Sequence, residues 1–262
     1  MARYQVVLAY DGTGFFGFQR QAHNRTVQET VEAALRQLGW TGRSILFAGR
    51  TDTGVHATGQ VIAFDLIWQH GPQDLCNALN ACLPEDAAAQ VVREVPDDFH
   101  PRYAATARRY GYRVIAVPQR DPLRERFAWR VWPAPELERL QSAASSLPGS
   151  HDFAAFGSPP KKGGSTRRNI LKAVWRQAGD TLWFDIVGNA FLYHMVRRLV
   201  AFQMAIGQQI LQPQALLEQL SAPGDTSAAG MAPACGLCLG AVYYTEAVSE
   251  ENYLDDLFFY RN

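Results

Sequence analysis

The first turn of the pattern is an apolar run at residues 3–10, RYQVVLAY, which predicts a strand. Thr26 then caps a helix over 26–38. Glu29 completes the capping box, and Val27, Val31, Ala34, Leu35 and Leu38 form one apolar stripe. Strands follow at 44–49 and 58–66, where GQVIAFDL is rich in β-formers. A helix fits 72–82, with Pro72 at its start and Leu75, Ala78, Leu79 and Cys82 on one face, and a strand fits 89–95. The order β-α-β-β-α-β then recurs. TARRYGYRVIAV (106–117) reads as a long strand and 135–147 as a helix. Residues 169–176 and 180–187 read as a hairpin around Gly179–Asp180, 190–208 as a helix and 237–245 as a last strand. Two such units imply an α+β chain of two tandem ferredoxin-like halves, residues 1–105 and 106–262. The repeat is one of topology, not of residues.

The loop after the first strand spells Gly12-x-Gly14-x-x-Gly17. A dinucleotide fingerprint needs those glycines to open a helix, with an acid about 20 residues further on at the end of a second strand. Here the helix starts only at Thr26, about two helical turns too late. Glu29 and Glu32 lie inside it. The context excludes a nicotinamide or flavin site and leaves a glycine-rich aromatic loop that brings its backbone close to a flat, anionic ligand. Asp11 and Gln19 are expected to order it, and Phe15–Phe18 to pack or to line the ligand's path.

Composition adds that 47% of the 262 residues are hydrophobic, enough for a sizeable core, with no run of about 18 apolar residues to span a membrane. The N-terminus meets Asp11 and glycines too early for a signal peptide, and four cysteines in a chain this long make no disulfide framework, so a cytoplasmic protein is expected. Net charge is zero, but residues 100–176 carry 15 Lys and Arg against 5 Asp and Glu, while 241–262 carry 5 acids against one Arg. A basic middle with an acidic tail suits a chain with one face on nucleic acid, or a set of solvated arginines. Cys235-x-x-Cys238 lacks a second pair at zinc spacing, so no metal is expected. His56, His100, His151 and His194 form no i,i+4 ligand pair and are expected to be structural.

The stretch that carries chemistry is FAGRTDTGVHATGQ, residues 47–60, a loop between two β-rich segments. Gly49 and Gly54 let the backbone turn around one carboxylate. Arg50, two residues before Asp52, favours the ionised acid. An ionised Asp can act as a nucleophile; equally, an Arg–Asp pair can brace a turn. A glycoside hydrolase would usually want two flanking acids, and no second acid lies nearby.

GRTDTGVHATGQV resembles the active-site motif of the tRNA pseudouridine synthase A family. The segments YDGTGFFGFQ, Thr26–Gln28, Leu79-Asn80 with Leu83-Pro84, Phe99-His100, Ala107–Tyr110, His151–Phe153, FLYHMVR (191–197) and APACGL (232–237) also look like family segments in family order. The resemblance implies the pseudouridine synthase fold: two ferredoxin-like halves merged into one mixed, largely antiparallel sheet with a central cleft. It implies isomerisation of uridine to pseudouridine at positions 38, 39 and 40 of the tRNA anticodon stem-loop, without metal or cofactor, by a homodimer with tRNA across both subunits. Asp52 falls at the essential aspartate and Tyr110 at the active-site tyrosine, with Arg50 and Arg197 as substrate-binding residues.

The helix at 190–208 is apolar almost all round, so it should be buried, and Arg197 within it needs an anion. The family pattern makes that anion Asp52. Arg198 is expected to be structural or phosphate-facing, and Tyr112 to pack. Lys161, Lys162, Arg167 and Arg168 in GSPPKKGGSTRR, together with Arg108, are the candidates for the tRNA backbone. Thr53 and Ala87-Ala88 depart from the family's common residues. The alternative reading is a non-catalytic RNA-binding protein with two RRM-like modules, which would not need Asp52.

Overall fold

The computed structural model describes residues 1–222 and 230–244. The end of the predicted last strand and the acidic tail fall outside them. The first half contains strand β1 (Ala2–Tyr10), helix α1 (Val27–Gln37), β2 (Leu46–Phe47), β3 (His56–Leu66), α2 (Pro72–Cys82) and β4 (Ala87–Val95). The second contains β5 (Ala107–Ile115), β6 (Trp129–Arg130), α3 (Leu137–Ala144), β7 (Gly149–Asp152), β8 (Arg167–Ala178), β9 (Thr181–Gly188), α4 (Met195–Gly207), α5 (Gln214–Ser221) and β10 (Leu237–Tyr243). Thr26 caps α1 by accepting from the Glu29 N–H, and Pro72 opens α2.

All the strands join one sheet, whose main path is β4-β1-β3-β10-β5-β9-β8-β7. Within it the first half keeps the ferredoxin-like order β4-β1-β3-β2, and the second repeats it as β10-β5-β9-β8. The two meet where β10 runs parallel to β3; the other main pairings are antiparallel. The outer edge of β3 is shared. Its far end pairs Ile62 and Ala63 with the two residues of β2, and its near end pairs His56 and Ala57 with β10. The chain between β2 and β3 therefore leaves the sheet at the seam between the halves.

Side chains alternate across each strand, and the helices cover one face. Under α1 and α2, Tyr4, Val6, Leu8 and Tyr10 of β1 pack with Val31, Leu35, Leu75 and Leu79. Under α3, α4 and α5, Tyr112, Trp175 and Phe184 pack with Leu140, Leu199 and Phe202. The opposite face carries charge, including the buried ion pair Arg109–Asp185 at 2.7 Å between β5 and β9. Tyr112 packs as expected, and its hydroxyl donates to the Pro233 carbonyl at 2.7 Å.

Three elements escaped the pattern. The two-residue β6, the four-residue β7 and the eight-residue α5 are too short for a periodic signal. Helix α4 also begins at Met195 rather than 190, because His194 adopts a left-handed conformation (φ 64°) that a continuing right-handed helix cannot include.

A buried carboxylate ties the first half's loops to α1. Glu32, with no exposed side-chain surface, receives Arg20 at 2.5 Å, Gln28 Nε2 at 2.8 Å and the Ile45 N–H at 3.2 Å. Removing it leaves the buried Ile45 N–H without its acceptor and the Gln28 amide with only its bond to Ser44 Oγ at 2.9 Å. Glu32→Ala is expected to lower unfolding stability by about 3 kcal/mol in urea denaturation, and Glu32→Gln by less than half of that. Equal losses would show that the carboxylate's charge, and not its acceptor oxygen alone, is what holds the network.

Candidate active site

The β2–β3 loop is built so that Asp52 has little freedom. Phe18 N–H donates to the Thr51 carbonyl at 3.0 Å and Gly54 N–H to the Phe15 carbonyl at 3.3 Å, so the glycine-rich loop lies directly against it. Tyr10 and Thr51 hydroxyls meet at 2.8 Å, and Gln60 Nε2 donates to the Gly49 carbonyl at 2.9 Å. Val55 N–H closes the turn onto the Asp52 carbonyl at 3.1 Å. Gly54 sits at φ 77° in this turn, and Gly17 at φ 86° faces it; a Cβ on Gly17 would stand 3.0 Å from the Thr51 carbonyl oxygen.

Beyond the glycines, one of the two residues expected to order the loop does so. Asp11 does take part, accepting from Thr13 N–H at 3.0 Å and pairing with Arg126 at 2.7 Å. Gln19 is exposed and makes none of the described hydrogen bonds; Gln28 instead accepts the Arg20 N–H at 3.0 Å. Phe15 and Phe18 are buried, and Phe16 points outward.

From the other half, α4 brings Arg197. Its Nη1 donates to Asp52 Oδ2 at 3.0 Å, the contact the family resemblance implied for a buried arginine in need of an anion, and its Nε donates to the Ala232 carbonyl at 2.8 Å. The second bond holds the guanidinium still. Both partners are largely buried, so their attraction is less screened than at a surface. His194 comes with it: its Nε2 lies 3.4 Å from the same Oδ2. The sequence reading set this histidine aside as structural. Its position three residues before Arg197, which places both on one side of the chain entering α4, was the signal available.

Tyr110, on β5, stands on the cleft wall with its ring edge-on to Phe191 at 5.0 Å. Burial, with a contribution from the Asp52 charge, pushes its hydroxyl up to about 12, so it is a neutral hydrogen-bonding phenol. Asp52, Tyr110, Arg197, His194, Phe191 and Arg50 line one cleft of about 60 Å³. Arg50 is exposed at its rim. A larger hollow of about 320 Å³, walled by Asp11, His56, Phe127 and Cys235, contains neither Asp52 nor Tyr110. The reactive groups therefore favour the smaller cleft.

The remaining basic candidates are dispersed. Lys161, Lys162 and Arg167 are exposed. Arg108 is partly buried and donates to the Arg102, Ala105 and Asn189 carbonyls at 2.7–3.2 Å, which gives it a bracing position at the start of β5. Arg168 similarly donates to the Ser165 and Arg167 carbonyls. Arg198 is partly exposed, with no described side-chain hydrogen bond. Burial pushes the Cys238 thiol up to about 12, far from a ready thiolate.

A single carboxylate, held by a guanidinium beside a neutral phenol at the junction of two ferredoxin-like halves, makes this cleft the candidate active site of an α+β enzyme. Comparison with known proteins says which. The tRNA pseudouridine synthase family model matches residues 6–104 and 143–245. The tRNA pseudouridine synthase A of Lactiplantibacillus plantarum is 39% identical over 93% of this chain and 95% of its own. That of Moorella thermoacetica is 40% identical over 92% and 98%. The chain belongs to the tRNA pseudouridine synthase family.

The geometry separates two adjacent arginines. Arg197→Met is expected to lower the turnover rate by at least about 10²-fold, the scale of one lost donor to a reacting charge. Arg198→Met should change it by no more than about twofold, as for a surface substitution. Similar losses in two well-folded variants would remove the distinction.

Proposed function

We propose that this protein isomerises uridine to pseudouridine in tRNA, at positions 38, 39 and 40 of the anticodon stem-loop, with Asp52 as the nucleophile. The observation that carries the reading is the Asp52–Arg197 pair at 3.0 Å inside the cleft walled by Tyr110, in a chain of this family. The guanidinium orients the carboxylate and balances its charge. The carboxylate attacks the nucleoside, the N1–C1′ bond breaks, the uracil turns, C5 bonds to C1′ as the carboxylate is released, and C5 gives up its proton while N1 takes one. Nothing is transferred to water, so one carboxylate suffices. Tyr110 offers a ring to stack on the uracil and a hydroxyl to its edge.

The target base must leave its helix to reach Asp52. An entering base reaches Asp52 and Tyr110 past the rim of the cleft they line. Arg50 and the exposed Tyr193 stand at that rim. The basic loop leaves from the same place, since Tyr193 N–H donates to the Ser158 carbonyl at 3.0 Å. Lys161, Lys162 and Arg167 on it then reach the tRNA backbone, with Arg108 and Arg168 contributing what their carbonyl bonds leave free, and binding weakens with salt. The working unit in this reading is a cytoplasmic homodimer, each chain divided near residue 105, with tRNA across both subunits.

Incubating the protein with an unmodified tRNA transcript and mapping pseudouridine tests the reading. Wild type is expected to convert uridines 38–40, and Asp52→Ala to bind the transcript and convert none. Binding by wild type without conversion would favour an RNA-binding module; conversion by Asp52→Ala would overturn the mechanism.

A further inference from the structure

Both donors that reach Asp52 meet the same oxygen. Arg197 Nη1 is 3.0 Å from Oδ2 and His194 Nε2 is 3.4 Å from it. Among the described residues, no hydrogen bond reaches Oδ1. A carboxylate held through one oxygen by donors from two successive turns of chain cannot rotate to exchange its oxygens without breaking both contacts.

We infer that His194 is a positioning residue, a second clamp on Oδ2 that leaves Oδ1 as the oxygen presented to the substrate. This rests on the reading of Asp52 as nucleophile and adds to it which oxygen reacts and what fixes the choice.

The backbone supports the assignment. His194 holds φ 64° and ψ 1°, a conformation that glycine adopts at far lower cost than a bulky residue. A side chain kept there against local preference, at the wall of a reactive cleft, indicates a constraint set by the site. The surroundings hold the residue in place: the Tyr193 ring lies tilted by 34° against the imidazole with centroids 3.7 Å apart, the Tyr193 N–H donates to the Ser158 carbonyl, and Met195 N–H donates to the Leu192 carbonyl at 3.2 Å.

The charge state fits a donor rather than a second cation. The imidazole faces Asp52 from the β2–β3 loop and Arg197 and Arg198 from α4, with Arg50 and Tyr110 lining the same cleft. Burial holds its titration below the ordinary histidine value; the two arginines add to this and Asp52 opposes it. At 3.4 Å the contact is longer than a formed hydrogen bond; a neutral imidazole with its proton on Nε2 is placed to close on Oδ2 as a donor when substrate fills the cleft, without further neutralising the carboxylate, which Arg197 alone already balances.

Two substitutions separate donation from packing. His194→Gly removes the donor at a position where glycine relieves the backbone. His194→Gln places an amide N–H at about the reach of Nε2, and the chain already carries a glutamine at φ 63°, Gln209. Single-turnover conversion and tRNA affinity are measured for both against wild type. The glycine variant is expected to convert about 10- to 100-fold more slowly with unchanged affinity, the span of one hydrogen bond to a charged group, and the glutamine variant to recover most of that loss. A glycine variant at the wild-type rate, equal losses in both variants, or a loss confined to affinity would overturn the inference. A wild type that converts no uridine would instead sink the reading on which it rests.

Discussion

Asp52 and Arg197 are 145 residues apart in sequence and 3.0 Å apart in space. Arg197 lies on a helix whose other faces are committed to the second half's core, among Leu199, Val200 and Phe202. Asp52 lies on a loop fastened to the first half by Phe18, Tyr10 and Gln60. Neither charge would be stable so far from water alone. Each is tolerable because the other half supplies its counterion, so the site exists only while the two halves hold their relative position.

That position is set by the last strand. Tyr110 and β10 are hydrogen-bonded neighbours, and β10 in turn runs beside the start of β3, four residues after Asp52. The Ala232 carbonyl, just before β10, anchors the Nε of Arg197. One segment therefore closes the sheet, aligns the tyrosine and steadies the arginine. The short β2 serves the same end from the other side. By ending after two residues it frees the edge of β3 for β10 and lets the Asp52 loop emerge at the seam.

The glycine-rich loop shows how local spelling and tertiary context differ. Gly12-x-Gly14-x-x-Gly17 has the letters of a pyrophosphate cradle. In the fold its backbone approaches another loop rather than a ligand, with Gly17 against Thr51 and the Phe15 carbonyl bonded to Gly54. Its two inner aromatics are core, and only Phe16 faces outward. Context, not the triplet of glycines, assigned its job.

Most of the fold was legible because it is periodic. Long strands and amphipathic helices write their faces into the chain, and α2 even keeps the predicted bounds of 72–82. The duplicated element order gave the two ferredoxin-like halves. The need of a buried Arg197 for an anion, joined with the resemblance, gave its contact with Asp52. What the chain could not announce depends on pairings between distant residues. β6 and β7 exist only where neighbours offer an edge, and β10 could have joined either side of its half. The left-handed turn at His194 carries no composition signal, yet it brings an imidazole to within 3.4 Å of the Asp52 carboxylate. Burial and periodicity are properties of a local stretch of chain; the meeting of two charges 145 residues apart is a property of the closed sheet, and only the tertiary structure could decide it.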